Sequence, residues 1–361
     1  MAQDLQADSV LPALPTDVFA SYVTVTPGNT FTSMMGHAAL RMQCPSVGLD
    51  YCFTVKAPEI GNEFTAMTLR TLRAGLVPEE TPTFFQDYIS EGRGIYESRL
   101  NLTLEEARSL WKQLDDEVAR GLYQTIDYIH NGCAQRVSSI LFAVTEHRLS
   151  NIDSVADALL PYENRRQILA RYMDTSHWKG FVGHSLYGGT PDEPVYGRAK
   201  LIMPLDLQAF LLQTGLASPA VMVAQPALPV EKPLFSPLMA VVLFLLLCLV
   251  PVEIQAIGKA LLLLYSLLAF LLCWLVFVSK TPGTEWNWLL IPFNPLPLLL
   301  YKWRGRTLYT LYALTLATFL VFMLFNLNRL FFVEQLLLVA GIFVRVIYQL
   351  FNINFLKPKQ V

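Results

Sequence analysis

The chain holds 361 residues, 53% of them hydrophobic and 16% charged, with a formal net charge of −2 and a mean hydropathy of +0.39. An ordinary soluble domain is about 25% charged, so a purely soluble protein is excluded. The net charge says nothing useful about partners, and no basic run suggests nucleic acid. The apolar excess begins at Leu234. Residues 1–225 read as a polar-faced domain long enough for one sizeable core, and residues 226–361 as a membrane domain.

The opening Met1-Ala2-Gln3-Asp4 lacks a basic stretch followed by an apolar segment, so no signal peptide is visible. FASYVTVT at 19–26 alternates like a strand, and Pro27-Gly28-Asn29 ends it. HAALRM at 37–42, LDYCFTV at 49–55 and IYESRL at 95–100 are the next strands. A helix over 82–91 carries Phe84, Phe85 and Tyr88 at helical spacing. Thr103, with Glu106 three residues on, forms a capping box for a second helix, whose buried stripe is Leu110, Leu114 and Val118.

Residues 123–130 are aromatic and β-branched. Asn131-Gly132 then makes a turn, and Cys133 falls in the first turn of a helix, where unpaired amides and the helix dipole are expected to lower a thiol pKa. Another helix is expected at 164–172. HWKGFVGHSLYGGTPDEP at 177–194 reads as a long loop, and the proline-rich 217–233 as a linker. Apolar runs follow at about 234–251, 257–279, 287–301, 306–327 and 335–355. Four reach the ~20 residues of a span. The third, broken by Pro292, Pro295 and Pro297, is a distorted span or a re-entrant segment. With five crossings, Lys259, Lys302, Arg304, Arg306, Lys357 and Lys359 share one side, against Lys280 and Arg329. The positive-inside rule makes the first side cytoplasmic and puts the polar domain outside.

Of five cysteines, Cys44 and Cys52 flank a turn-like PSVGLDY and are either a disulfide or two reduced strand residues. Cys248 and Cys273 lie in apolar spans. Cys133 is left single, and with His37 it makes a minimal thiol nucleophile and base. The helix end would support a thiolate and nearby amides an oxyanion. A third group must fix the imidazole, which points to Thr54 or Asp50 on the adjacent strand. Arg41 and Arg93 are candidates for a lipid phosphate, against the commoner role in intradomain ion pairs. Arg345, deep in the last run, is expensive in lipid and needs a functional role or a partner such as Glu334 or Asn294. His177 and His184 lack a completing ligand set, so no metal is expected. Trp286, Trp288, Tyr301 and Trp303 read as interfacial anchors.

PGNTFTSMMGHAALR, LDYCFTV, DYISEGRGIYESRLNLT, YIHNGCAQRVSSIL and WKGFVGHSLYGGTPDEP occur in the order seen in the Lnb N-terminal periplasmic domain family, and Asn294–Leu300, NPLPLLL, is similar to the Asn-Pro-Leu of its membrane domain. The family's Gly-His-x-x-Leu-Arg corresponds to Gly36, His37, Leu40 and Arg41, and its Asn-Cys-Ala to Gly132, Cys133 and Ala134. Gly132 replaces the usual Asn, and Thr54 stands where the family often has Asn. The order of histidine strand before cysteine helix also resembles permuted papain-like enzymes.

This resemblance implies an α+β permuted papain-like (NlpC-type) domain followed by an all-α multi-span membrane domain. It implies an inner-membrane lipoprotein N-acyltransferase without cofactor, its catalytic domain in the periplasm. An acyl chain would pass from a phospholipid donor, through a thioester on Cys133, to the α-amino group of a bacterial lipoprotein acceptor, with His37 as base and Thr54 as its orienting partner. Arg41, Arg93 and Arg345 would bind substrate. The alternatives are a papain-like peptidase or amidase acting on cell-wall peptides, and a non-enzymatic lipoprotein-binding factor.

Overall fold

The computed structural model describes residues 15–30, 32–57, 65, 69, 73–125, 127, 129–149, 151–173, 177–227, 234–250, 255–279, 282–295 and 306–355. Lys280, Tyr301, Trp303 and the basic residues at 302, 304, 357 and 359 lie outside them.

A run of short amphipathic strands builds the first half. In chain order these are β1 (Phe19–Val25), β2 (His37–Cys44), β3 (Leu49–Lys56) and β4 (Arg73–Glu80). Helix α1 (Thr81–Ser90) leads to β5 (Ile95–Arg99) and α2 (Leu104–Arg120). The short β6 (Gln124–Thr125) precedes α3 (Cys133–Thr145), α4 (Ile152–Leu159), α5 (Arg165–Ala170), α6 (Trp178–Leu186) and α7 (Pro204–Gln213). The last strand is β7 (Val221–Ala224). Together the strands form one antiparallel sheet in the order β6-β4-β3-β2-β1-β5-β7.

Alternation along β2 divides the core. Ala38, Leu40 and Met42 face Leu110 and Leu114 of α2, Val137 and Leu141 of α3, and Leu207 and Phe210 of α7. Ala39 joins Val23, Val25, Cys52 and Ile95 beneath Phe84, Phe85 and Tyr88 of α1. The expected capping box is present, with Thr103 Oγ1 accepting Glu106 N–H and Glu106 Oε2 accepting Thr103 N–H.

Three local expectations change, and one open choice is decided. β4 and β7 are strands that the sequence pattern does not announce. Pro78 and two glutamates mask the pattern of β4, and β7 is an exposed edge inside the proline-rich 217–233. The supposed loop 177–194 contains α6, whose Gly180, Gly183 and His184 are buried, so packing rather than propensity orders it. Cys44 and Cys52 are free thiols. Cys52 pairs in register with Arg41, three positions from Cys44, so the two point to opposite sheet faces and cannot bridge.

The apolar half forms α8 (Pro237–Leu249), α9 (Gln255–Cys273, continuing as a π-helical turn Trp274–Ser279), α10 (Arg306–Phe325) and α11 (Val333–Phe355). Among the described residues, three segments are long and apolar enough to cross a membrane: Ile257–Ser279, Arg306–Phe325 and Val333–Phe351. The first run, expected to reach span length, gives only the 13 residues of α8, about 20 Å. Val250 turns extended just before Pro251, as the residue preceding proline prefers. Of the third run, 288–290 make one 3₁₀ turn and 292–294 dip between α9 and α10. There the Tyr265 hydroxyl lies 2.9 and 2.6 Å from the Pro292 and Asn294 carbonyl oxygens, and Tyr312 Oη lies 2.5 Å from the former. Residues 296–305 lie outside the described set.

Candidate active site

The site sits where β2 begins. Gly36, with φ of 79°, turns the chain so tightly that a Cβ there would lie 2.9 Å from the Val25 carbonyl oxygen. His37 follows as the first residue of β2. Its Nε2 lies 2.5 Å from Thr54 Oγ1 of β3, which is fully buried. The ring packs 5.7 Å from Tyr88 and 6.5 Å from Phe84, both on α1. Burial first, then the charges of Arg93 and Lys56, push the imidazole pKa down to about 3.

Cys133 opens α3 behind Gly132, whose N–H donates to Gln135 Oε1 at 3.0 Å. The thiol is partly buried against the sheet. Here the expected lowering of its pKa fails. Desolvation outweighs the amides of Ala38, Ala134 and Cys133 itself and the charge of Arg93, so the thiol is pushed up. The resting pair is therefore a neutral thiol and a neutral imidazole.

Cys133 and His37 both line a cavity of about 400 Å³, together with Tyr88, Arg93, Lys56 and Arg136. Residue parity explains their approach. His37 shares the α1 face of the sheet with Ala39, whereas α3 packs on the face of Ala38 and Leu40. The two groups can thus meet only around the open end of β2. With Nε2 held by Thr54, Nδ1 is the ring nitrogen left for the thiol. No hydrogen bond joins Cys133 Sγ to the ring among those of the described residues.

Arg41 is committed elsewhere: it bridges Asp50 at 2.6 Å and Glu97 at 2.8 Å and lies over Phe85. Asp50 also accepts from Thr81 at 2.6 Å, which leaves Thr54 as the group at the imidazole. Arg93 is 4% exposed. Its Nε donates to the Thr26 carbonyl at 2.8 Å, Nη1 reaches Glu91 at 3.2 Å, and the guanidinium lies 4.7 Å over Tyr88. Its Nη2 has no partner. Arg345 does not line this cavity; its Nη1 donates to the Val250 carbonyl at 2.7 Å, capping α8 inside the bundle. No cluster of metal-ligating side chains occurs among the described residues.

Sequence reasoning missed two things. Tyr88, read only as a helix-packing aromatic, stacks beside His37. Arg166, 3% exposed, pairs with Asp192 at 2.5 Å and donates to the carbonyls of His184, Tyr187 and Gly188. That loop docks on the apolar half: Gly188 N–H donates to Gly283 at 2.7 Å, Trp288 Nε1 to Asp192 at 2.9 Å, and His184 packs 4.5 Å from Phe332. Trp288 is thus a docking residue, while Trp286 is 83% exposed. Nothing in a lone arginine of a short helix signals such a role.

Sheet, helices and apolar bundle together define an α+β domain docked on membrane helices, with a thiol and an imidazole lining one cavity. Residues 13–171, which hold both groups, match the model of the Lnb N-terminal periplasmic domain family. The chain is accordingly a membrane protein with a periplasmic domain. No curated protein matches it, and neither does any solved structure.

Proposed function

We propose that the protein is a lipoprotein N-acyltransferase of the inner membrane, its cysteine domain of permuted papain-like type. The carrying observation is the shared cavity of Cys133 and His37, with Nε2 held by Thr54, in a domain seated on membrane helices. As the sulfur attacks a phospholipid ester carbonyl, His37 Nδ1 takes the thiol proton. It returns that proton to the departing glycerol oxygen, leaving a thioester on Cys133 and a lysophospholipid. The α-amino group of a diacylglyceryl-cysteine lipoprotein then attacks the thioester carbon. His37 accepts the amine proton and hands it to the departing Cys133 sulfur, so the amide forms, the C–S bond breaks and the free thiol is restored. Amides of Ala38 and Ala134 near the sulfur support the reading as oxyanion donors. Arg93, rigidly held beside the cavity, is the substrate-contacting cation; Arg41 is not free for that task. The periplasmic-domain family matched by residues 13–171, beside three span-length apolar helices, supports a periplasmic active site.

The test uses full-length protein, a phospholipid with labelled acyl chains and a synthetic diacylglyceryl-cysteine peptide. Label should appear on the peptide amine, and Cys133→Ala should abolish it. Cleavage of cell-wall peptides without acyl transfer would favour a peptidase, and full activity of Cys133→Ser in cells would favour a binding factor.

A further inference from the structure

A second cavity, of about 220 Å³, lies where the domain meets the turn between α10 and α11. It is lined by Tyr162, Asn164, Gln167, Pro194 and Arg329. Its chemistry follows from a cap. At the start of α5, Asn164 Oδ1 accepts Gln167 N–H at 2.8 Å, and Gln167 Oε1 accepts Asn164 N–H at 3.0 Å. Both side-chain oxygens are consumed, so each amide has only its NH₂ end left. Asn164 is 4% exposed and its Nδ2 has no partner. An orphaned buried donor costs about 1–3 kcal/mol unless something accepts from it.

The opposite wall adds a cation. Arg329 is exposed, and no ion pair or side-chain hydrogen bond involves it among those of the described residues. Of the neighbouring carboxylates, Glu163 is taken by Arg171 and Glu193 acts on Arg165. Tyr162 and Tyr196, 66% and 59% exposed with ring centroids 5.9 Å apart, stand beside the opening. Such amphipathic rings suit the level of lipid headgroups. The turn also lies at the end of the bundle where Phe332 meets His184 of the domain.

We infer that this crevice binds the phosphate of an outer-leaflet phospholipid, through Arg329, the Asn164 amide and the Tyr162 hydroxyl, and so seats the domain on the lipid surface. It is a site separate from the Cys133 cavity and needs no acyl transfer. Full-length protein in detergent, titrated with diether phosphatidylglycerol and read by native mass spectrometry, should retain the lipid. Arg329→Gln should weaken retention about tenfold, the loss of one charge-assisted contact. Asn164→Asp keeps the cap oxygen but replaces the donor with a carboxylate, and should weaken it likewise. Cys133→Ala should leave it unchanged, and diether glycerol lacking phosphate should not compete. Equal retention by Arg329→Gln, or equal binding of the phosphate-free lipid, would overturn the inference. So would inorganic phosphate displacing the lipid at equal concentration, which would assign the crevice to a soluble anion.

Discussion

At His37 and Cys133 the decisive term is solvent. Burial holds the imidazole near pKa 3 and raises the thiol, so between these limits both are neutral and a proton moves only as the sulfur attacks. A base with a depressed pKa stays available as acidity increases. The acid limb of kcat/KM should therefore lie well below the ordinary histidine value of about 6.5, leaving the profile flat through pH 5–7. Alkylation of Cys133 by iodoacetamide should be slow at pH 7 and climb about tenfold per pH unit into the alkaline range. A limb near 6.5, or a thiol fully reactive at pH 5, would show an ion pair instead. The residues themselves were legible in the sequence, and so was Thr54 as one of two partners. Their protonation was not, because a helix N-terminus argues for a thiolate and burial depth is a property of the fold.

Among elements, the strands bearing His37 and Thr54 and the helix starting at Cys133 could be read from alternation and turn residues. What could not be read depends on packing. α6 gains its order from contacts with the apolar half, where His184 packs on Phe332 and Ser185 accepts from Asn287 and Gln335, and β4 and β7 are strands whose prolines and edge position hide their period. α5 is a six-residue helix, too short to stand alone, and it matters because it places Arg166. Replacing that buried, paired guanidinium by methionine strands Asp192 and three carbonyls. Arg166→Met should cost roughly 3–5 kcal/mol, seen as a lower denaturant midpoint in detergent. An unchanged midpoint would mean that loop 184–192 is held by other contacts.

Over the whole molecule, the two halves are joined by backbone as much as by side chains. Gly188 and Gly189 donate to the carbonyls of Gly283 and Glu285 at 2.7 and 2.8 Å. A Cβ on Gly188 would lie 1.7 Å from the Glu285 oxygen, and backbone cannot yield that much. Gly188→Ala should undock the domain, speeding proteolysis at 177–192 and lowering transfer to lipid-bound substrates. A wild-type cleavage rate would contradict that docking.

The central claim is that Cys133 carries the acyl chain. Purified full-length protein incubated with a defined phospholipid, then weighed intact, should gain the mass of one acyl chain. Hydroxylamine should remove that mass, and Cys133→Ala should never acquire it. An adduct that persists in Cys133→Ala, or no adduct while labelled acyl chains still reach the peptide amine, would contradict it.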